Sequence, residues 1–154
     1  VTDAYDSRPG TLEHIARVAE LMDDFAALLR ARAQRHDASK LSDPERSVFD
    51  EYTPKLKDST YGSDEYKGYL AGMGEGLTSH YAHNRHHPEH FENGVDDMGL
   101  VDIIEMLMDW KAATERHDNG DLERSIRLNT DRFSLTPQLA RILANTAAES
   151  GWSK

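Results

Sequence analysis

The sequence predicts an all-α protein, a compact single-domain bundle of about six helices. Three observations predict it. Apolar residues recur at spacings of three and four in several separate stretches. Capping residues and prolines stand where those stretches begin. No segment reads as a strand, an internal repeat or a low-complexity tract. At 154 residues the chain is long enough to bury a core without disulfide or metal staples.

Residues 1–10 read as a polar lead-in ending at Pro9-Gly10, with the helical domain over 11–154. In the first helix, from Thr11 as N-cap to about Gln34, Ile15, Val18, Met22, Phe25 and Leu29 make one apolar stripe. His14 sits at the edge of its buried face. The run Arg35–Lys40 is a polar break. Ser42-Asp43-Pro44-Glu45 then reads as a helix start, with Pro in the first turn and an acid beside the positive end of the dipole. Pro54 predicts that this helix is short, and 55–62 reads as loop. Ser63 opens a helix carrying Tyr66, Tyr69, Leu70, Met73, Leu77 and Tyr81 inward. Its glycines at 68, 72, 74 and 76 each cost ~1 kcal/mol against Ala. Either something packs closely there or the helix breaks.

Pro88 disfavours helix at His87, so the helix ends near there and 88–98 form a loop. Residues from Gly99 to about His117 make the most apolar helix, stopped by Asn119-Gly120. Asp121 caps a helix to about Phe133, and Thr136-Pro137 starts a last one to about Glu149.

Composition narrows the function. Without cysteine there are no disulfides, zinc–thiolate sites, iron–sulfur clusters or Cys nucleophiles. Lys and Arg number 18 against 28 Asp and Glu, a net charge of −10. That balance argues against binding a nucleic-acid backbone or an anionic membrane. No run approaches the ~18–20 apolar residues of a membrane span. No basic-then-apolar leader opens the sequence, so the expected location is the cytoplasm.

Three constellations could carry chemistry. Asp102, Glu105 and Asp109 share one stripe of the most apolar helix. Buried carboxylates are costly unless paired or bound to metal, so either the stripe faces solvent or Arg partners, or it enters a polar site. His80, His83, His86, His87 and His90 fall within eleven residues. Neutral imidazole is a common transition-metal ligand, a His-rich exposed turn being the plain alternative. His83 and His90 are the weaker candidates. Third, His36-Asp37 follows the first long helix. Helix neighbours point about 100° apart, so both reach one metal only from irregular or helix-end backbone. Other features have plain readings. Trp110 and Trp152 are expected to pack. Tyr61, Tyr66, Tyr69 and Tyr81 are expected in the core rather than around a base. Asn129 and Arg132 could reach a ligand or lie on a polar face, and His117 suits a helix C-terminus.

The order His14, His36-Asp37, Asp109 resembles the H…HD…D pattern of the HD-domain superfamily of helical metal-dependent phosphohydrolases. His36–Lys40 resembles its HD-x-G-K form with Ser39 in the Gly place. His86–His90 through Asn93-Gly94 is similar to the HH-E segment of the HD-GYP branch, with Met108-Asp109 where that branch has Ala-Asp. The GYP triplet is absent, so cyclic-di-GMP hydrolysis does not carry over. Most of the chain is closer still to an uncharacterised family of small phage and bacterial proteins. That likeness runs through His36–Lys40 (HD-x-SK), Pro44-Glu45, Tyr61–Tyr66 (YGS-x-EY), His86–His90 (HHPEH), Glu105–Ala112 (EM-x-x-DW-x-A) and Asn129–Phe133 (N-x-x-RF).

The resemblance implies a first metal held by His14, His36, Asp37 and Asp109. It implies a second held among His80, His86 and His87, with Asp37 bridging. Asp37 and Lys40 would be catalytic, with Lys40 near the phosphate or paired to Asp37. Glu89 would orient a ligand histidine, and Arg35 and Arg85 would meet substrate; Glu105 matches no motif position, but one turn before Asp109 it could orient a ligand histidine. Asp102 likewise matches no motif position. The cofactors expected are one or two divalent transition metals among Mn, Fe, Co, Ni and Zn. The expected activity is metal-dependent hydrolysis of a nucleotide or another small phosphorylated molecule. The alternatives are a di-iron oxygenase and a binding protein that keeps the fold without catalysis.

Overall fold

The structure, a computed structural model, describes residues 5–60, 62–116 and 120–152. The expectations placed on Tyr61, His117 and Asn119 concern positions outside that set. Among the described residues the chain is helical, with seven α-helices and no strand. It divides into two compact units, Val1–Arg35 and His36–Lys154.

The first unit is one helix, α1, Arg8–Ala33. It starts three residues before Thr11, because Pro9 fits the first turn of a helix, where its missing N–H costs nothing. Ser7 is the N-cap, and Thr11 lies inside, its hydroxyl donating back to the Ser7 carbonyl at 2.9 Å. The apolar stripe is present, with Ile15, Val18 and Met22 58, 39 and 68 % exposed and Phe25 and Leu29 partly buried. Within its own unit the helix has no second layer to pack on.

The second unit begins with a 3-10 turn, Ala38–Leu41, and α2, Glu45–Asp58. Pro54 lies inside α2 rather than ending it. The face that packs inward, through Glu45, Val48, Tyr52 and Leu56, continues across the proline and carries the helix onward. Then come α3, Asp64–Gly72, and α4, Gly74–His83. Of the two alternatives for the glycines, each occurs at different positions. The helix breaks at Gly74, whose φ of +47° lies in the region open to Gly. Gly72 and Gly76 admit close neighbours, since a Cβ on either would come within 2.6 Å of Tyr52 and Val48 respectively. α2 thus packs tightly on α3 and α4.

α4 stops at His83, short of His87, and Asn84 turns away with φ −120° and ψ 102°. Two 3-10 turns, Pro88–His90 and Gly94–Asp97, lead to α5, Leu100–Thr114. α6, Leu122–Phe133, is capped by Asp121, and α7, Pro137–Glu149, by Thr136. The core joins Ile103, Met106 and Leu107 of α5 to Leu122 and Ile126 of α6, Leu135, and Leu143 and Ala147 of α7. Trp110 and Trp152 pack against it, with Trp110 stacked on Phe133 at 6.3 Å. The apolar side of α5 is spent on this core, and its acidic stripe is left to face the loops between α1 and α2 and between α4 and α5.

Candidate metal centre

Three stretches of the second unit meet at one point. His36 and Asp37 come from the turn ahead of α2. Asp37 has φ 55° and ψ 14°, a left-handed conformation that Asp tolerates better than most side chains. This is the irregular backbone that adjacent residues need to face one centre, and His36 Nε2 lies 3.6 Å from Asp37 Oδ2. His80 comes from α4. Because α4 ends early, the chain folds back and brings His86 and His87 against His80. The Nε2 atoms of His80 and His87 are 2.9 Å apart, and the rings of His86 and His87 lie 4.1 Å apart. α5 supplies Asp109, whose Oδ1 is 3.6 Å from His36 Nε2.

These side chains form two overlapping groups, Asp37 with His80, His86 and His87, and His36 with Asp37, His86 and Asp109. Within each, one donor atom per residue lies within 4.8 Å of all the others. His80 Nε2 and His86 Nε2 stand 3.4 and 3.6 Å from Asp37 Oδ1. Donors ~2.1 Å from one ion are themselves roughly 3–3.5 Å apart, so these separations suit a shared cation with little movement. The buried polar atoms point the same way. Asp37 Oδ1 and both ring nitrogens of His86 have no hydrogen-bond partner, although His86 is 1 % exposed. Orphaned buried polar atoms are costly, and a metal ion would satisfy Asp37 Oδ1 and His86 Nε2, while His86 Nδ1 faces Glu105 Oε1 at 3.3 Å. The donor set of imidazole and carboxylate without sulfur fits a first-row divalent transition metal.

Protonation is consistent with that use, except at His36. Burial, with the charges of His86 and His80 against it, pushes His87 down to about 3, so it is neutral at pH 7. Burial followed by Lys40 also lowers His80. Burial would raise Asp37 and Asp109, but the surrounding cations outweigh it and hold both below the ordinary carboxylate range. Those cations are chiefly Lys40 for Asp37 and His36 for Asp109. His36 is pushed up to about 10 by hydrogen bonding to Asp109 and then to Glu105. A cation bound there must displace that proton.

Carboxylates stand behind the histidines. Glu105 Oε1 is 2.9 Å from His36 Nδ1 and 3.3 Å from His86 Nδ1. Lys40 donates to Asp37 Oδ2 at 2.6 Å, with its ammonium 4.5 Å over the Phe49 ring.

The other expected site residues are not members of these groups. His14 is an exposed residue of the first unit, and both groups are drawn wholly from the second. Arg35 is exposed at the end of the first unit, its Nε 3.4 Å from the Ala31 carbonyl. Arg85 grips Asp102 through two hydrogen bonds of 3.2 and 3.1 Å. Asp102 also accepts from Gly99 N at 3.0 Å, closing the N-terminus of α5. Glu89 accepts from Arg132 at 2.7 Å rather than orienting a ligand. His83 bonds the Ser79 carbonyl and His90 the Tyr81 carbonyl. Asn129 is buried and donates to the Ser125 carbonyl.

Sequence reasoning missed Glu45. It is 1 % exposed, and its carboxylate meets His80 Nδ1 at 2.9 Å, Ser39 Oγ at 2.6 Å and Ser79 Oγ at 3.0 Å. At a helix start its charge had a sufficient explanation in the dipole. The recurrence of Pro44-Glu45 among the family-like motifs was the signal that it does more.

Compared with known proteins, residues 3–149 match a family model described as a family of unknown function (DUF5662). No curated protein and no solved structure matches the chain.

Proposed function

The chain belongs to the DUF5662 family, whose function is unknown, and from the chemistry of its site we propose a metal-dependent phosphohydrolase. Its substrate would be a nucleotide or another small phosphate ester. The observation that carries the metal-binding part of this reading is the pair Asp37 and His86, common to both ligand groups, whose Oδ1 and Nε2 are buried and unpartnered. The resemblance of the order His14, His36-Asp37, Asp109 to the HD pattern supports the choice of reaction, although His14 is in neither ligand group.

His36, Asp37, His80, His86, His87 and Asp109 would hold one or two divalent ions. Bound there, such an ion lowers the pKa of a coordinated water toward neutrality and offsets charge on a phosphate oxygen. The protein's own residues do the rest. Glu105 fixes the ring of His36. Lys40 holds Asp37 in place and adds positive charge beside the cluster, where a protein at −10 otherwise repels an anion. Phe49, under the Lys40 ammonium, limits where that side chain can swing.

Metal content of protein purified without added metal, followed by phosphate release from a panel of nucleotides and phosphomonoesters, tests the reading. Mn, Co, Ni or Zn at one or two per chain is expected, with turnover that Asp37→Asn abolishes. The four histidines of the cluster also suit a di-iron oxygenase. Two irons per chain, a visible charge-transfer band and no phosphate release would establish that instead. Absence of any metal uptake would leave a binding protein.

A further inference from the structure

We propose that Glu45 is a positioning residue for metal binding, which acts by holding His80 in the one tautomer that presents its Nε2 lone pair to the cluster. The inference rests on the metal-binding part of the reading above.

His80 is 2 % exposed and touches groups at both ring nitrogens. At Nδ1 stand Glu45 Oε2 at 2.9 Å and Asn84 Nδ2 at 3.0 Å. At Nε2 stand Asp37 Oδ1 at 3.4 Å and His87 Nε2 at 2.9 Å. An imidazole serves as a ligand only through an unprotonated nitrogen, so the ring proton must sit on Nδ1. Both nitrogens face a carboxylate, and the shorter, hydrogen-bonded contact, 2.9 Å at Nδ1 against 3.4 Å at Nε2, decides this. Asn84 spends its two amide protons on Ser39 Oγ at 2.8 Å and the His80 carbonyl at 2.8 Å. It therefore has none left to give Nδ1. A carboxylate has only lone pairs to offer, and a lone pair on Nδ1 facing it at 2.9 Å would be repelled. The proton is placed on Nδ1, and Nε2 is left to accept.

Glu45 is held for this role from the other side. Ser39 and Ser79 donate to its two oxygens, one each, so the carboxylate cannot rotate away from His80. Ser39 is itself fixed by Asn84. The turn carrying Asp37, the start of α2 and the end of α4 are thereby joined behind one ligand. Such a partner makes imidazole a better donor, and its loss typically weakens metal affinity by 10–100-fold.

Cobalt(II) titration followed by its visible d–d spectrum tests the proposal, using the full chain, Glu45→Gln, His80→Ala and the double variant. Glu45→Gln keeps the side-chain shape but loses the charge and is expected to weaken cobalt binding about tenfold with a shifted spectrum. In the His80→Ala background the same change is expected to have no further effect, because Glu45 acts only through His80. Unchanged affinity in Glu45→Gln, or an equal loss in both backgrounds, overturns the proposal while leaving the metal reading intact. No cobalt uptake by the unaltered chain overturns both. Should Glu45→Gln not fold, ¹⁵N-histidine NMR of the unaltered zinc-loaded protein decides. A proton on His80 Nδ1 with a metal-shifted Nε2 supports the assignment, and the opposite tautomer overturns it.

Discussion

His36 and Glu105 stand 69 residues apart in the chain, yet Nδ1 of one lies 2.9 Å from Oε1 of the other. This contact ties the irregular turn ahead of α2 to the helix that organises the core. α5 has its apolar side in that core through Ile103, Met106 and Leu107, so the position of Glu105 is set by packing. The turn has little packing of its own, and His36 is positioned by reaching a rigid element. On the same stripe Asp109 meets the other nitrogen of the ring at 3.6 Å. A histidine gripped at both nitrogens by one helix has a fixed orientation, which a metal ligand needs.

Asp37 belongs to both ligand groups, whereas His87 belongs to one. Asp37→Asn is therefore expected to abolish high-affinity uptake altogether, and His87→Ala to weaken or lose one equivalent at most. Asn also tolerates the left-handed backbone at this position, so folding is preserved. Equilibrium dialysis with metal analysis checks the difference. Equal effects of the two substitutions would contradict the shared role of Asp37.

Chelated protein is expected to be most stable near the unfolded histidine pKa of ~6.5. Below it, the unfolded chain protonates His87 while the folded chain, with that group pushed down to about 3, does not. Stability then falls as pH drops from ~6.5 toward about 3, by at most ~1.4 kcal/mol per pH unit for one proton. Asp37, Asp109 and Glu45, all held below their ordinary range, steepen the same limb at its acid end. Above ~6.5, the folded chain keeps a proton on His36 up to about 10 that the unfolded chain has lost, so stability falls as pH rises. Bound metal requires unprotonated His36, and loading should flatten the alkaline limb. Urea midpoints against pH, with and without chelator, give both curves. A chelated protein whose stability rises steadily from pH 7 to 9 would refute the His36 assignment.

Much of this site was legible beforehand because its signals were local. His36-Asp37, the HHPEH run and the acids on α5 are dense in ligand chemistry, and Pro88 marks where the backbone leaves helical geometry. What sequence could not supply was partnership across the chain. The stripe Asp102, Glu105, Asp109 looks uniform, yet its members have different tasks. Asp102 grips Arg85 and closes its own helix end, Glu105 orients His36, and Asp109 faces the cluster. Glu45 was hidden for the same reason, its partners lying 6 and 35 residues away at Ser39 and His80. Periodicity also found the stripe of α1 without being able to say whether anything covers it. Pro54 misled because local propensity at one position was outweighed by the continuous packed face of α2.

Asp102→Ala is expected to cost stability without abolishing metal uptake. Asp102 is 3 % exposed, and loss of its side chain removes the acceptor for Gly99 N and for both donors of Arg85. Losing a helix-end acceptor together with a charge-assisted pair costs about 1–3 kcal/mol. Arg85 is half exposed and can return to water, which keeps the figure from rising further. Urea denaturation of the chelated protein measures the cost, and cobalt titration of the same sample separates it from the site. Lost cobalt uptake in a folded Asp102→Ala variant would move Asp102 from the helix end to the ligand set.

Gly68 and Gly76 make a matched pair that tests the packing behind the site. Both lie in helices, and neither has positive φ. On propensity alone, replacing either by Ala gains ~0.5–1 kcal/mol, because the unfolded chain loses freedom it no longer has to surrender. Around Gly68 there is nothing within 4 Å of an added Cβ, so Gly68→Ala is expected to stabilise by about that amount. At Gly76 the added carbon would come within 2.6 Å of Val48 Cβ and Cγ2, on a helix that carries His80 one turn later. Neither atom is the free end of a flexible side chain, so α2 and α4 must move apart. Overpacking of this kind costs about 1–3 kcal/mol, which exceeds the propensity gain, and Gly76→Ala is expected to destabilise. The displacement would also pull His80 away from Glu45, which α2 supplies, so cobalt affinity should fall in Gly76→Ala and stay unchanged in Gly68→Ala. Thermal unfolding with cobalt titration of both variants reads the two effects. Equal stabilisation by the two alanines would mean that α2 does not press on α4 at Gly76, and the tight seating of Glu45 against His80 would need another cause.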